Sequence, residues 1–129
     1  MKFLPTSSYK DDVIDPYHIH GVISASIENE SAVVAILETD GGKYAGCFMG
    51  IVSEGVLSPR KTCAEVFFWV DQKHRGHGRK LLSFVEDWAV DAGCTDFVLS
   101  APVSSDRAGK VFKAWKFQHT ESWYRKRIV

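Results

Sequence analysis

The sequence predicts a single α+β domain built on a mixed, mostly antiparallel sheet, and three observations carry that prediction. The apolar run Ala32–Leu37 is followed by Asp40-Gly41-Gly42 and then by Tyr44 to Val52, a hairpin pattern in which the glycines supply positive φ at the turn. The strand Ala64–Val70, a helical pattern after it and the alternating run Thr95–Ala101 give strand, helix, strand, which is the signature of a right-handed parallel crossover. A further short amphipathic helix follows Ser104-Ser105-Asp106.

Length and composition bound the answer. At 129 residues the chain is one domain, 1–129, with a real core and no room for a separate substrate domain. Apolar residues make up 45% and charged residues 25%, as in ordinary globular proteins. The net charge of zero argues against a dedicated nucleic-acid binder, so a polyanion must be met locally. Cys47, Cys63 and Cys94 are odd in number and lack paired spacing, which speaks against a disulfide framework and a CxxC metal site. Met1 to Pro5 has no signal-peptide apolar region, and no run reaches membrane-span length, so a cytoplasmic location without membrane attachment is expected.

Each element has a local cause. Ser7-Ser8 can cap a short helix towards Asp15, Pro16 interrupts it, and Tyr17 to Ile27 form a second helix. Residues 53–62, with Gly55 and Pro59, form a loop before the strand Ala64–Val70. Leu81, Val85, Trp88, Ala89 and Ala92 recur at spacings of three and four, and Gly93 closes that helix. The next strand stops at Pro102, and in the helix after it Ala108, Val111, Phe112 and Trp115 share one face. Phe117 to Val129 is β-prone, with Trp123-Tyr124 beside Arg125-Lys126-Arg127.

The segment Lys73-His74-Arg75-Gly76-His77-Gly78 lies where a strand feeds into a helix. Such a junction aims unpaired backbone N–H groups and a positive dipole end at one point, and phosphate oxygens bind there. Gly76 and Gly78 let the backbone approach a pyrophosphate, while Lys73, Arg75, Arg79 and Lys80 neutralise it from the rim. The bland alternative is a solvated basic turn with two loop glycines. The spacing is not GxxxxGK[ST], and the third glycine of a dinucleotide fingerprint is missing, so those two phosphate loops are excluded.

The order of elements and this segment resemble the GNAT N-acetyltransferase superfamily, whose pyrophosphate motif Q/R-x-x-G-x-G/A is followed here with Lys73 in the first place. Arg79-Lys80-Leu81-Leu82 is similar to the family's helix start, and the likeness extends over residues 31–129, closest to short members of the kind seen in bacteriophage genomes. The resemblance implies helices on both faces of the sheet and a V-shaped opening where its fourth and fifth strands, which are parallel, splay apart. It implies acetyl-CoA as co-substrate and an amine as acceptor. His74 and His77 then belong to the cofactor segment, and the backbone of Phe68, Trp69 and Val70 pairs with the pantetheine arm like an added strand. Ser105 stands where relatives often carry an Asn that contacts the cofactor; the plain alternative is a helix N-cap.

Acetyl transfer to an amine needs a base, donors for the oxyanion and a proton for the leaving thiolate. Glu65 is the expected base, on a position similar to the catalytic Glu of several relatives; the alternative is a solvated strand-end carboxylate. Simple alternation would put Glu65, Phe67 and Trp69 on one face and raise its pKa. Phe112 occupies the place of the family's helix Tyr and cannot donate a proton, which leaves it lining the cofactor side and leaves water or Tyr124 as donor. Tyr124 is more simply explained as a strand residue packing its ring. The family's Gly-Phe after this helix is replaced by Lys116-Phe117.

His74 and His77 lack further ligands at matching spacing, so no metal is expected. His18 and His20 are candidate acceptor-side residues, and Trp69, Trp88, Trp115 and Trp123 are expected in the core. Two rivals stand beside the enzyme: a non-catalytic acetyl-CoA-binding or protein-interaction module, motivated by Phe112, and a nucleic-acid binder using residues 73–80 and 125–127. A homodimer is left open.

Overall fold

The computed structural model describes residues 15–28 and 30–129, so the expected Ser7-Ser8 cap lies outside the described residues. The first element is helix α1, Pro16–Glu28. Asp15 caps it, its carboxylate accepting from the Tyr17 and His18 amides at 3.0 and 3.1 Å. Pro16 therefore opens the helix rather than interrupting it, because a first-turn proline loses no hydrogen bond.

Strands β1 (Ala32–Glu38), β2 (Tyr44–Glu54), β3 (Lys61–Val70) and β4 (Cys94–Val98) form one sheet in sequence order. β1 and β2 are the expected hairpin, closed by Gly42 at φ 80°, with the Thr39 amide donating to the Lys43 carbonyl at 2.8 Å. β2 and β3 are antiparallel, β3 and β4 parallel. β3 starts at Lys61, inside the expected loop, because Lys61 to Ala64 are the residues that pair with β4. The expected run Thr95–Ala101 ends early for the same reason: beyond Ala64↔Val98 the two strands no longer pair.

Helix α2 (Gly78–Asp91) crosses from β3 to β4 and closes at Gly93, which takes φ 86° as the residue after the cap. Its Leu81, Leu82, Val85 and Ala89 bury with Val33, Ala35, Phe48 and Cys63 to make the core; Phe48, Cys63 and Val85 are fully inaccessible. Helix α3 (Asp106–Ala114) is capped by Ser105, whose Oγ accepts from the Ala108 amide at 3.3 Å, and it sets Phe112 and Trp115 against that core.

One irregularity changes the reading of β3. Met49 faces Phe67 and Gly50 faces Glu65, so Val66 is an extra residue, a β-bulge. The alternation phase flips there. Glu65 keeps the face of Cys63, whereas Phe68 and Val70 take over that face after the bulge and pack on the core. Phe67 and Trp69 are thus on the opposite face from Glu65, contrary to the simple alternation.

The C-terminal expectation also fails. Residues 117–129 carry neither helix nor strand. Phe117 packs on Phe97 and Phe112, and beyond it Trp123 and Tyr124 are 85% and 94% exposed. β-propensity is realised only against a neighbouring strand, and this segment pairs with none among the described residues. Trp123 is therefore not a core residue, and Trp69, turned to the other face of β3 by the bulge, does not pack on the core either; Trp88 and Trp115 are half-buried against the core as expected.

Candidate active site

The site follows from the way β3 ends. Lys61 to Ala64 are paired with β4, but the β3–β4 ladder does not continue past Ala64↔Val98, and among the described strands none pairs with Glu65 to Val70 on that side, so β3 and β4 form the two walls of a split that opens towards the start of α2. This is the splayed parallel pair, third and fourth among the described strands.

Glu65 stands at the vertex. Its carboxylate accepts a hydrogen bond from the Ser100 hydroxyl at 2.7 Å, from the chain just beyond β4, and the Ser100 backbone N–H donates to it as well. Burial pushes the Glu65 pKa up to about 7, against these two bonds, which pull it down. A carboxylate in that range exchanges protons near neutral pH, as a base must. The neighbouring Cys63 thiol is likewise pushed up, to about 11, and stays neutral.

At the open end, a 3₁₀ turn over Gln72–His77 leads into α2. No side chain caps α2, and its first turn holds Arg79 and Lys80 but no acid. Lys73, Arg75, His77, Arg79 and Lys80 are all exposed around it. Cations at a helix N-terminus are unfavourable unless an anion joins them, so this end fits a pyrophosphate. The two glycines divide the labour. A Cβ on Gly76 would meet nothing within 4 Å, so that backbone is open to a ligand. A Cβ on Gly78 would touch Phe68, Val70 and Trp115 at 3.5–3.6 Å, so Gly78 instead seats the helix on β3.

The remaining expected residues are distributed unevenly. Phe68, Trp69 and Val70 line the unpaired stretch of β3, half-buried. His74 is turned towards Asp71, whose carboxylate is 3.9 Å from a buried Nδ1 without a hydrogen bond, so it braces the turn from within. Ser105 is engaged as a helix cap, and the ring of Phe112 lies among Trp115 and Phe117. Tyr124 is on the exposed C-terminal segment, and His18 and His20 are exposed on α1. Among the described residues no cluster of three metal-ligating side chains occurs, and no helix is long and apolar enough to cross a membrane. A surface cavity of about 550 Å³ beside Lys61, Trp88 and Asp91 lies at the other end of β3 and contains none of these groups.

Ser100 is the residue that sequence reading missed. Only the parallel register, which brings residue 100 to residue 65, reveals it.

Comparison with known proteins gives the same architecture. No protein of curated function matches the chain significantly by sequence. Among solved structures, AAC(6')-Iy in complex with the bisubstrate analogue CoA-S-monomethyl-acetylneamine superposes with a TM-score of 0.75 at 19% identity, over 92% of this chain and 84% of that one. Aminoglycoside 6'-N-acetyltransferase AAC(6')-Ih from Acinetobacter baumannii gives 0.72 at 17% identity, over 92% and 85%. Glucosamine-6-phosphate N-acetyltransferase from Arabidopsis thaliana gives 0.69 at 19% identity, over 91% and 80%. At such identities these likenesses establish the fold. The family model described as "Acetyltransferase (GNAT) family" matches residues 4–117, nearly the whole chain. With the split sheet and the anion-ready turn already in place, the chain belongs to the GNAT acetyltransferase family.

Proposed function

We propose that the protein is an N-acetyltransferase that moves the acetyl group of acetyl-CoA to a primary amine of a small molecule or protein. The observation that carries the reading is Glu65, a carboxylate at the vertex of the β3/β4 split with a pKa near 7, in line with a basic, uncapped helix start. That several neighbours in fold are N-acetyltransferases, one with a CoA-based bisubstrate analogue, supports it.

Lys73, Arg75, Arg79, Lys80 and the backbone at Gly76 would hold the pyrophosphate, with His77 on the same rim. The free edge of Phe68, Trp69 and Val70 would accept the pantetheine arm as a strand is accepted. Acetyl-CoA supplies the activated acyl group. Glu65, directly or through water, takes a proton from the neutral acceptor amine as its nitrogen attacks the thioester carbonyl and the C–N bond forms. The C–S bond breaks, and the thiolate is protonated by water. Ser105 and Phe112 contribute through α3, the first by fixing its start and the second by packing its inner face; Tyr124 as donor would require the C-terminal segment to fold over the split. The activity belongs to a cytoplasmic setting, where acetyl-CoA is available.

Isothermal titration with acetyl-CoA and a thiol-release assay over a panel of amines test the reading. Saturable binding and amine-dependent thiol release are expected. No binding at millimolar acetyl-CoA would sink it. Phe112 in place of the family's Tyr favours a second reading, a module that binds acetyl-CoA without turnover, and binding with no release on any amine would select that one.

A further inference from the structure

We propose that Ser100 is a positioning residue, holding the Glu65 carboxylate in one orientation at the vertex of the split and setting the pH range in which it accepts a proton. The inference rests on the reading of Glu65 as base and adds to it the group that makes Glu65 serviceable.

The geometry is specific. β4 ends at Val98, and Leu99 turns into the core, so the next residue stands at the rim of the split facing β3. Ser100 then donates twice to one carboxylate, through Oγ at 2.7 Å to Oε2 and through its backbone N–H. A carboxylate offers about four lone-pair sites, so two stay open for the acceptor's proton. Gly50 faces Glu65 across the sheet and presents no side chain in its way.

The chemistry gives the two donors distinct consequences. Burial alone favours the protonated acid, which cannot accept a proton from an amine. Hydrogen bonds to the anion oppose that. Other ionisable groups around Glu65 leave the balance to Ser100. Gly50, its partner on β2, and Met49 and Ile51 beside it do not titrate. On β3, Cys63 is neutral and Lys61 lies next to Cys94, four residues down the strand. On β4, Asp96 faces Thr62 and is held by Arg60 at 3.1 Å. Among the described residues, burial and the Ser100 hydrogen bonds are what move Glu65.

The backbone donor survives any side-chain change, so Ser100→Ala removes one of the two bonds. The test is a carbon-13 NMR titration of the Glu65 carboxyl in the parent protein, Ser100→Ala and Ser100→Thr, beside the pH profile of kcat/KM. Ser100→Ala is expected to raise the Glu65 midpoint by about one unit, the scale of one hydrogen bond to an ion. The acidic limb of the rate profile should move with it, and Ser100→Thr, which restores a hydroxyl, should return both. Ser100 is exposed, so neither variant disturbs the core. A midpoint unmoved by Ser100→Ala, or moved as far by Ser100→Thr, overturns the proposal. A midpoint that moves while the rate profile stays put upholds the Ser100 tuning and instead removes Glu65 as the base.

Discussion

The two halves of β3 have opposite surroundings. From Lys61 to Ala64 the strand is paired on both sides, with β2 and with β4, and the loop before it is clipped to β4 by Arg60, which reaches Thr95 at 3.2 Å and Asp96 at 3.1 Å. From Glu65 to Val70 it keeps β2 only, carries a bulge, and runs into a basic turn. One half satisfies its backbone within the fold. The other leaves an edge, a half-buried carboxylate and an uncapped helix, each of which is a cost to stability unless a ligand uses it. The difference teaches that a candidate functional half is recognisable by what the fold leaves unsatisfied.

The sharpest way to break the comparison is Glu65→Gln. Loss of a general base lowers kcat/KM by about 100-fold or more. Stability should move the other way. Because the folded pKa of about 7 exceeds the ordinary value of 4.5, the folded protein keeps a proton that the unfolded chain has released between those values. Stability contributed by this group is therefore full below pH 4.5 and is lost as pH rises through 7. At pH 8 the variant should be more stable than the parent by on the order of 2 to 3 kcal/mol, with the gain vanishing towards pH 4. Urea unfolding at both pH values checks this, and a variant less stable at pH 8 would contradict the assignment of Glu65 as a desolvated carboxylate.

At the far end of the open half, Gly76→Ala separates binding from folding. The added methyl has nothing within 4 Å to strike and needs no positive φ, so the melting temperature should hold. A bound pyrophosphate would meet it, and acetyl-CoA affinity should fall about tenfold, the scale of one displaced charge-assisted contact. Equal affinity in titration calorimetry would place the phosphate elsewhere.

The sequence was most legible where causes are local. The hairpin at Asp40-Gly41-Gly42, the close of α2 at Gly93 and the Ser105 cap all depend on residues within a few positions of one another, and all are present. The bulge at Val66 was invisible because Val66-Phe67-Phe68-Trp69 is apolar throughout, so no polar residue marks the change of phase. Ser100 escaped because its partner is 35 residues away and is reached only through a parallel register. At the C-terminus, β-prone residues misled, since propensity says what a strand would favour and not whether a neighbour exists. The glycine turn could be proposed as an anion site from its place between strand and helix, but its division into an open Gly76 and a packed Gly78 needed the contacts.

Lys116 tests the wall of the split rather than its floor. It holds φ 73°, a left-handed conformation, so that its own amide reaches the Lys113 carbonyl at 3.1 Å and the Phe117 amide reaches that of Phe112 at 3.0 Å. These two bonds close α3 and bring Phe117 onto Phe97 of β4. The family's glycine at this place, which the resemblance marks as replaced, is the residue the geometry favours. Lys116→Gly should stabilise by about 1 kcal/mol, the cost of a left-handed non-glycine residue, and raise the melting temperature by about 4 °C or more without changing kcat/KM. A lower melting temperature would mean that the Lys116 side chain contributes more than its backbone strain.

The smallest effect belongs to the closed half. The Arg60 and Asp96 side chains are 66% and 51% exposed, and exposed ion pairs contribute under about 1 kcal/mol. Arg60→Ala should therefore lower stability only slightly, and less at high salt, because the Lys61–Ala64 ladder already holds β3 to β4. It should leave acetyl-CoA affinity unchanged, since Arg60 lies at the opposite end of β3 from the basic turn. If differential scanning calorimetry and calorimetric titration instead showed a large loss of both, the clip at residue 60 would be what sets the angle of the split. The two halves of β3 would then be coupled mechanically, and the closed half could no longer be regarded as scaffold alone.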